Sequence, residues 1–185
     1  MNATSATLQG LVLIEPKVFG DARGFFMETW NLRKYQEAGI AAPFVQDNIS
    51  VSRRGALRGL HFQNPNPQGK LVMVLEGAVL DVAVDVRVGS PTFGMHVAVE
   101  LTADNRRQFW VPRGFAHGFL VLSKTADLFY KCDQHYAPAD EHVLQWNDPA
   151  LAIKWGCVQP TLSDRDKNAR RLSQLDGVLL SYELS

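Results

Sequence analysis

Arg58, His61 and Lys70 crowd into one glycine-flanked stretch, Gly55-Ala56-Leu57-Arg58-Gly59-Leu60-His61-Phe62-Gln63, which runs on to Gly69-Lys70. The planar fork of an arginine grips a diphosphate at two points. Histidine titrates near neutrality and takes protons from carbon or oxygen. A neighbouring lysine stabilises a developing oxyanion. Together these types point to proton transfer on a phosphorylated carbonyl compound. Taken singly they say less: His61 alone reads as a satisfied core histidine, and Lys70 alone as a surface lysine at a strand start.

The rest of the chain must position that stretch. Its 185 residues suit a single domain, 1–185, with a sizeable core. Lys+Arg and Asp+Glu each number 19, which gives no support to a nucleic-acid partner or an anionic membrane surface. No apolar run reaches spanning length, and Met1 to Gly10 lacks the basic-then-apolar pattern of a secretory signal. Cys132 and Cys157 have no paired spacing, so reduced thiols and a cytoplasmic setting are expected.

Leu8 to Val18 is expected to open with a strand. Gly20 and Gly24 bracket a turn before the aromatic strand Phe25-Phe26-Met27-Glu28-Thr29-Trp30, whose aromatics suit a core or an interface. Asn31 caps a helix through Ala38, with Gly39 as its stop. Leu71 to Arg87 reads as two strands broken near Gly77. In the second, Leu80, Val82, Val84 and Val86 share one face, and Asp81, Asp85 and Arg87 the other, the pattern of a half-buried strand. Met95, Val97, Val99 and Leu101 alternate again. Pro112-Arg113-Gly114 turns into Phe115 to Leu122, and Leu128 to Lys131 is a further strand. Ser163 to Leu175 is expected to form the only other clear helix. Short strands at this spacing imply a β-sandwich or barrel whose inward side chains can line a pocket.

On these residues the chain resembles the cupins, the double-stranded β-helix jelly rolls. The frame Gly55, His61, Gln63, Lys70, Gly77 keeps the spacing of their first motif. Pro112, Gly114 and His117 keep that of the second. Gln63 and Lys70 stand where metal-binding cupins carry His and Glu, and Val121 where they carry Asn. Only His61 and His117 remain as ligands, and Lys70 would set a cation among them. No metal is therefore expected.

A longer set of phrases stands in one order: Gly20-Asp21-Ala22-Arg23-Gly24-Phe25-Phe26, Gln46-Asp47-Asn48, Leu57-Arg58-Gly59-Leu60-His61, Ser90-Pro91-Thr92-Phe93-Gly94, Pro112 to Phe119 and Trp146-Asn147-Asp148-Pro149. In these the chain resembles the dTDP-4-dehydrorhamnose 3,5-epimerase family, over roughly Gly10 to Leu175. The resemblance implies a mainly β cupin jelly roll with a few short helices. It implies a cofactor-free isomerase acting on a dTDP-keto-sugar, and a homodimer with strands exchanged between subunits. It makes His61 the base, Asp166 its carboxylate partner, Lys70 the stabiliser of the enolate and Tyr130 the opposing acid. It places Arg58, Gln46, Asn48 and Arg165 about the diphosphate or its neighbours, Asp47 among the substrate contacts, Arg23 and Glu28 on the nucleotide, and Tyr136 on thymine. His117 and Glu141 complete the site. Arg165 stands where relatives often carry lysine, which keeps the charge and changes the geometry.

Alternatives stand beside these roles. Tyr136 rivals Tyr130 as the acid. His117 is either a pocket liner or a structural hydrogen-bonder. Ser163-x-x-Asp166 also reads as a capping box, and a carboxylate with few free oxygens cannot fully serve both a cap and a dyad.

Overall fold

Among the described residues, alternating β-branched and aromatic residues fold into thirteen strands, with few helical residues between them. The computed structural model describes residues 1–182, so 183–185 of the expected domain lie outside the described residues. In chain order the strands are β1 (Asn2–Ser5), β2 (Val12–Glu15), β3 (Val18–Asp21), β4 (Gly24–Met27), β5 (Gln46–Arg53), β6 (Leu57–Gln63) and β7 (Lys70–Glu76). Then come β8 (Ala78–Asp85), β9 (His96–Thr102), β10 (Gln108–Val111), β11 (Phe115–Val121), β12 (Thr125–Cys132) and β13 (Glu141–Val143). Helix α1 (Leu32–Glu37) follows β4, and α2 (Asp164–Lys167) follows β13.

A six-stranded sheet, in the order β1-β2-β10-β7-β12-β5, faces a five-stranded sheet, β13-β6-β11-β8-β9. Pairing is antiparallel throughout both, as in a jelly roll. Between the sheets lies a core that includes Val72, Val74, Val79, Phe109, Phe119 and Leu128. α1 lies over the outside of the larger sheet, where Tyr35 packs with Ile14, Leu71 and Trp110. Its cap is the expected one. The Asn31 side chain accepts the Lys34 N–H, and Gly39 ends the helix with φ +84°.

Three expectations are corrected. The strand expected to open Leu8 to Val18 starts only at Val12, as β2, and an earlier strand, β1, precedes it; Pro16 ends the run, and Val18 begins β3. β8 is not half-buried, since Val82, Val84 and Val86 lie beneath Leu151, Trp155, Leu172 and Leu175 of the C-terminal segment. Its opposite face is buried too, with Asp81 and Asp85 both 0% exposed. Burial pushes the Asp85 carboxyl up, but bonds from Arg87, Ser90 and Thr92 outweigh it and hold it below the usual range. The helix expected over Ser163 to Leu175 is only α2 and a short 3-10 turn, Leu172–Gln174. The residues between them instead bridge to the sheet, where Arg170 pairs with Leu144.

Candidate active site

β6 and β11 meet unusually closely. A Cβ on Gly59 or on Gly118 would lie 2.7 Å from backbone atoms of the facing strand. The ladder shifts register between His117 and Phe119, which leaves His117 directly opposite His61. Opposed residues of a ladder share a face, and both histidines look into one cavity of about 600 Å³ between the sheets. That volume suits a small-molecule ligand. Gln46, Asn48 and Ser50 enter from β5, Arg58 from β6, Lys70 from the start of β7, and Leu128 and Tyr130 from β12.

The ring of His61 is oriented by a carboxylate. Its Nε2 lies 2.6 Å from Oδ1 of Asp166. The other Asp166 oxygen accepts the Ser163 hydroxyl at 2.7 Å, and the Asp166 N–H returns a bond to that hydroxyl at 3.1 Å. Cap and dyad therefore do not compete, because different carboxylate oxygens take His61 and Ser163. Burial raises the Asp166 carboxyl, but the bonds from His61 and Ser163 prevail and hold it below its usual range. With Nε2–H given to Asp166, Nδ1 carries the ring's lone pair. It sits 3.9 Å from Oε1 of Glu141.

Lys70 reaches the cavity from the β7 end, paired in the ladder with Val111 and Cys132. Burial lowers its ammonium pKa, opposed by the charge Cys132 would carry as a thiolate and by the carboxylates of Glu141 and Asp81. The same burial pushes the neighbouring Cys132 thiol up to about 11, so it stays protonated. Tyr130 shares the inward face with Leu128, as the alternation predicted. Burial raises its phenol first, and the negative charge that Cys132 can carry adds to it, so it is a proton donor at neutral pH. His117 is both of its alternatives at once. It lines the cavity, and its Nε2 donates to both oxygens of Asp81, at 2.8 and 3.0 Å.

The open end of the cavity is polar. Arg58 donates through Nε to Ser52 at 3.0 Å, which leaves its two terminal nitrogens for an anion. Glu141 Oε2 accepts the Tyr136 hydroxyl at 2.8 Å and also pairs with the Arg165 guanidinium.

Three expected residues are not brought to the cavity. Asp47 lies on the opposite face of β5 from Gln46 and Asn48, because strand side chains alternate, and it pairs with Lys131 at 2.8 Å. Arg23 sits at the tip of the β3–β4 hairpin, paired with Asp21. Glu28 accepts from Lys34 at 2.7 Å and from Asn31. Sequence reasoning missed Asp81 as a site carboxylate. Its signal was an acidic residue in a valine-rich central strand, which burial would force to find a partner. It also left Gln63 without a role beyond that of an absent ligand. Among the described residues, no group of three or more His, Cys, Asp or Glu is placed to hold a metal ion.

A jelly roll whose cavity gathers a carboxylate-bound imidazole, an ammonium and a phenol defines a cupin-fold enzyme. More particularly, the chain belongs to the dTDP-4-dehydrorhamnose 3,5-epimerase family, whose model matches residues 5–174, and is an isomerase. It is 50% identical over 178 residues to the dTDP-4-dehydrorhamnose 3,5-epimerase of Pseudomonas aeruginosa, covering 95% of this chain and 98% of that one. A Legionella pneumophila dTDP-6-deoxy-D-glucose-3,5-epimerase, solved with dTDP-4-keto-L-rhamnose, superposes with a TM-score of 0.96 at 50% identity and 99% coverage of both chains. A 3'-monoepimerase of Streptomyces bikiniensis, solved with dTDP-quinovose, superposes with a TM-score of 0.89 at 38% identity, covering 96% of this chain and 92% of that one.

Proposed function

We propose that the cavity converts dTDP-4-dehydro-6-deoxy-D-glucose to dTDP-4-dehydro-L-rhamnose by inverting C3 and C5 without a cofactor, a step of dTDP-L-rhamnose synthesis. The C4 ketone acidifies the hydrogens on both flanking carbons. His61 Nδ1 takes one such proton, and the bonding pair moves through C4 to the ketone oxygen. Asp166 favours the imidazolium so formed. Lys70 stabilises the enolate oxygen. Tyr130 gives its phenolic proton to the opposite face of the carbon, which inverts it. Loss of a proton to water restores His61, and gain of one from water restores Tyr130. One ketone serves both carbons, so one set of groups acts twice. Arg58 and Arg165 take the diphosphate, Gln46 and Asn48 line its approach, and Tyr136 stacks on the thymine beside Glu141.

The observation that carries this reading is the His61–Asp166 pair at 2.6 Å, in the cavity that also holds Lys70 and Tyr130. Supplying the keto-sugar together with an NADPH-dependent reductase for the rhamnose product tests it, and NADPH oxidation that requires this protein is expected. The 38% identical monoepimerase favours one alternative, inversion at a single carbon. Deuterium uptake from heavy water at one carbon only would support that alternative.

The protein acts as a homodimer in this reading. β3 and β4 form a separate two-stranded sheet that exposes Phe19, Phe25 and Phe26, the last at 70%. Such a hairpin suits burial against a second copy, where Arg23 and Glu28 would meet the partner's nucleotide. The cytoplasm is its proposed location, in keeping with two free cysteines. Among the described residues, no helix is long and apolar enough to cross a membrane.

A further inference from the structure

Gln63 occupies a position that a metal-binding cupin gives to a ligand, yet its amide is turned elsewhere. Its Nε2 donates to the backbone carbonyl of Asn66 at 2.9 Å and to that of His135 at 3.3 Å. Its Oε1 accepts the Ala137 N–H at 3.1 Å. Both amide hydrogens are thereby spent, and the residue is 5% exposed. The residue held between these bonds is Tyr136. Its own N–H goes to Oε1 of Gln46 at 2.9 Å, and its hydroxyl to Glu141. The neighbouring Gln134 carbonyl accepts from Gln68 at 2.6 Å. The segment from Gln134 to Ala137 has no ladder partner, so side chains from β5, β6 and the β6–β7 loop supply the backbone bonds that a strand would have made.

We infer that Gln63 is a positioning residue, which acts on the sugar nucleotide through Tyr136 by holding the 134–137 segment over the open end of the cavity. The inference rests on the reading of Tyr136 as the thymine contact. The ligand position was thus reused for substrate affinity: Gln63 lines the cavity wall, but its amide hydrogens are spent on the 134–137 segment and the Asn66 carbonyl. Releasing the segment lowers the fraction of protein with Tyr136 in place, and apparent affinity falls by that fraction.

The test is a double-mutant cycle on steady-state kinetics with the dTDP-keto-sugar. Gln63→Leu removes all three bonds at similar volume. It should raise KM about tenfold and change kcat by less than about threefold. Gln63→Glu keeps the acceptor for Ala137 and serves if the leucine variant folds poorly; it should raise KM less. In a Tyr136→Ala background, Gln63→Leu should add less than about twofold to KM, since residues acting through one another are not additive. Full additivity, or a fall in kcat at unchanged KM, would overturn the inference and leave the thymine contact standing. An unchanged KM in Tyr136→Ala alone would overturn both.

Discussion

The carboxylate of Asp166 serves His61 with one oxygen, at 2.6 Å, and the Ser163 cap with the other, at 2.7 Å. The proposed catalytic pair is thereby built onto the first turn of a helix of only four residues. Neither oxygen is free to swing, so the imidazole has one orientation and one tautomer.

Replacing that carboxylate should be felt in both roles. Asp166→Asn should lower kcat by about 10²–10⁴-fold, the usual contribution of a positioned acid–base system. Ser163→Ala should lower stability by about 1 kcal/mol, the usual worth of a cap. The pH dependence follows from the lowered carboxyl. In the native state the group titrates below its ordinary 3.8. Its contribution to stability is complete above 3.8 and disappears as pH falls through the native value. Acid unfolding followed by circular dichroism should be less steep in Asp166→Asn.

Lys70 sets function against stability. Its ammonium lies in a cavity wall where burial lowers its pKa, and no carboxylate bonds to it among the described residues. Lys70→Met should lower kcat about 10²–10³-fold, as loss of an oxyanion donor does. The same variant should unfold about 2–4 °C higher, since roughly 1 kcal/mol of desolvation is relieved. The native pKa lies below 10.5, so the unfolded chain binds the proton more readily and stability rises with pH across that window. Lys70→Met should lack that alkaline rise. A lower melting temperature in this variant would count against the buried-cation account.

Tyr130 and Tyr136 both line the cavity, but only Tyr130 stands on a core strand facing inward. Tyr130→Phe should stop net inversion and still permit hydrogen exchange on the face that His61 serves. NMR in heavy water reads both. Full turnover by Tyr130→Phe would move the acid role to Tyr136 or to water.

Much of the architecture was legible. The break at Gly77 was visible because a glycine interrupts the strand pattern; the structure adds the reason, a φ of +80° and a side chain there that would strike the Thr125 backbone and the Ser123 hydroxyl. The inward parity of Leu128 and Tyr130 was visible because a strand has period two. Burial of β8 on both faces was not visible, since its cover comes from residues 144–175, distant in sequence. The placing of Asp47 was misjudged for a plainer reason: a motif names neighbours, and neighbours on a strand face opposite ways. The distribution of partners for Gln63 depends on a segment with no periodicity of its own, 134–137, which no pattern along the chain announces.

The exposed hairpin gives a prediction about assembly. If the proposed homodimer forms through this hairpin, Phe26→Asp should shift the protein from dimer to monomer in light scattering. Activity should fall with it, because Arg23 and Glu28 would leave the partner's cavity. A fully active monomer would remove both residues from the site.

The most direct measurement is deuterium uptake at C3 and C5 of dTDP-4-dehydro-6-deoxy-D-glucose, followed by NMR in heavy water with wild-type protein and with His61→Ala. The wild type should label both carbons. His61→Ala should label neither while still binding dTDP, which equilibrium titration checks. Labelling of either carbon at the wild-type rate by His61→Ala would contradict a histidine base at this position.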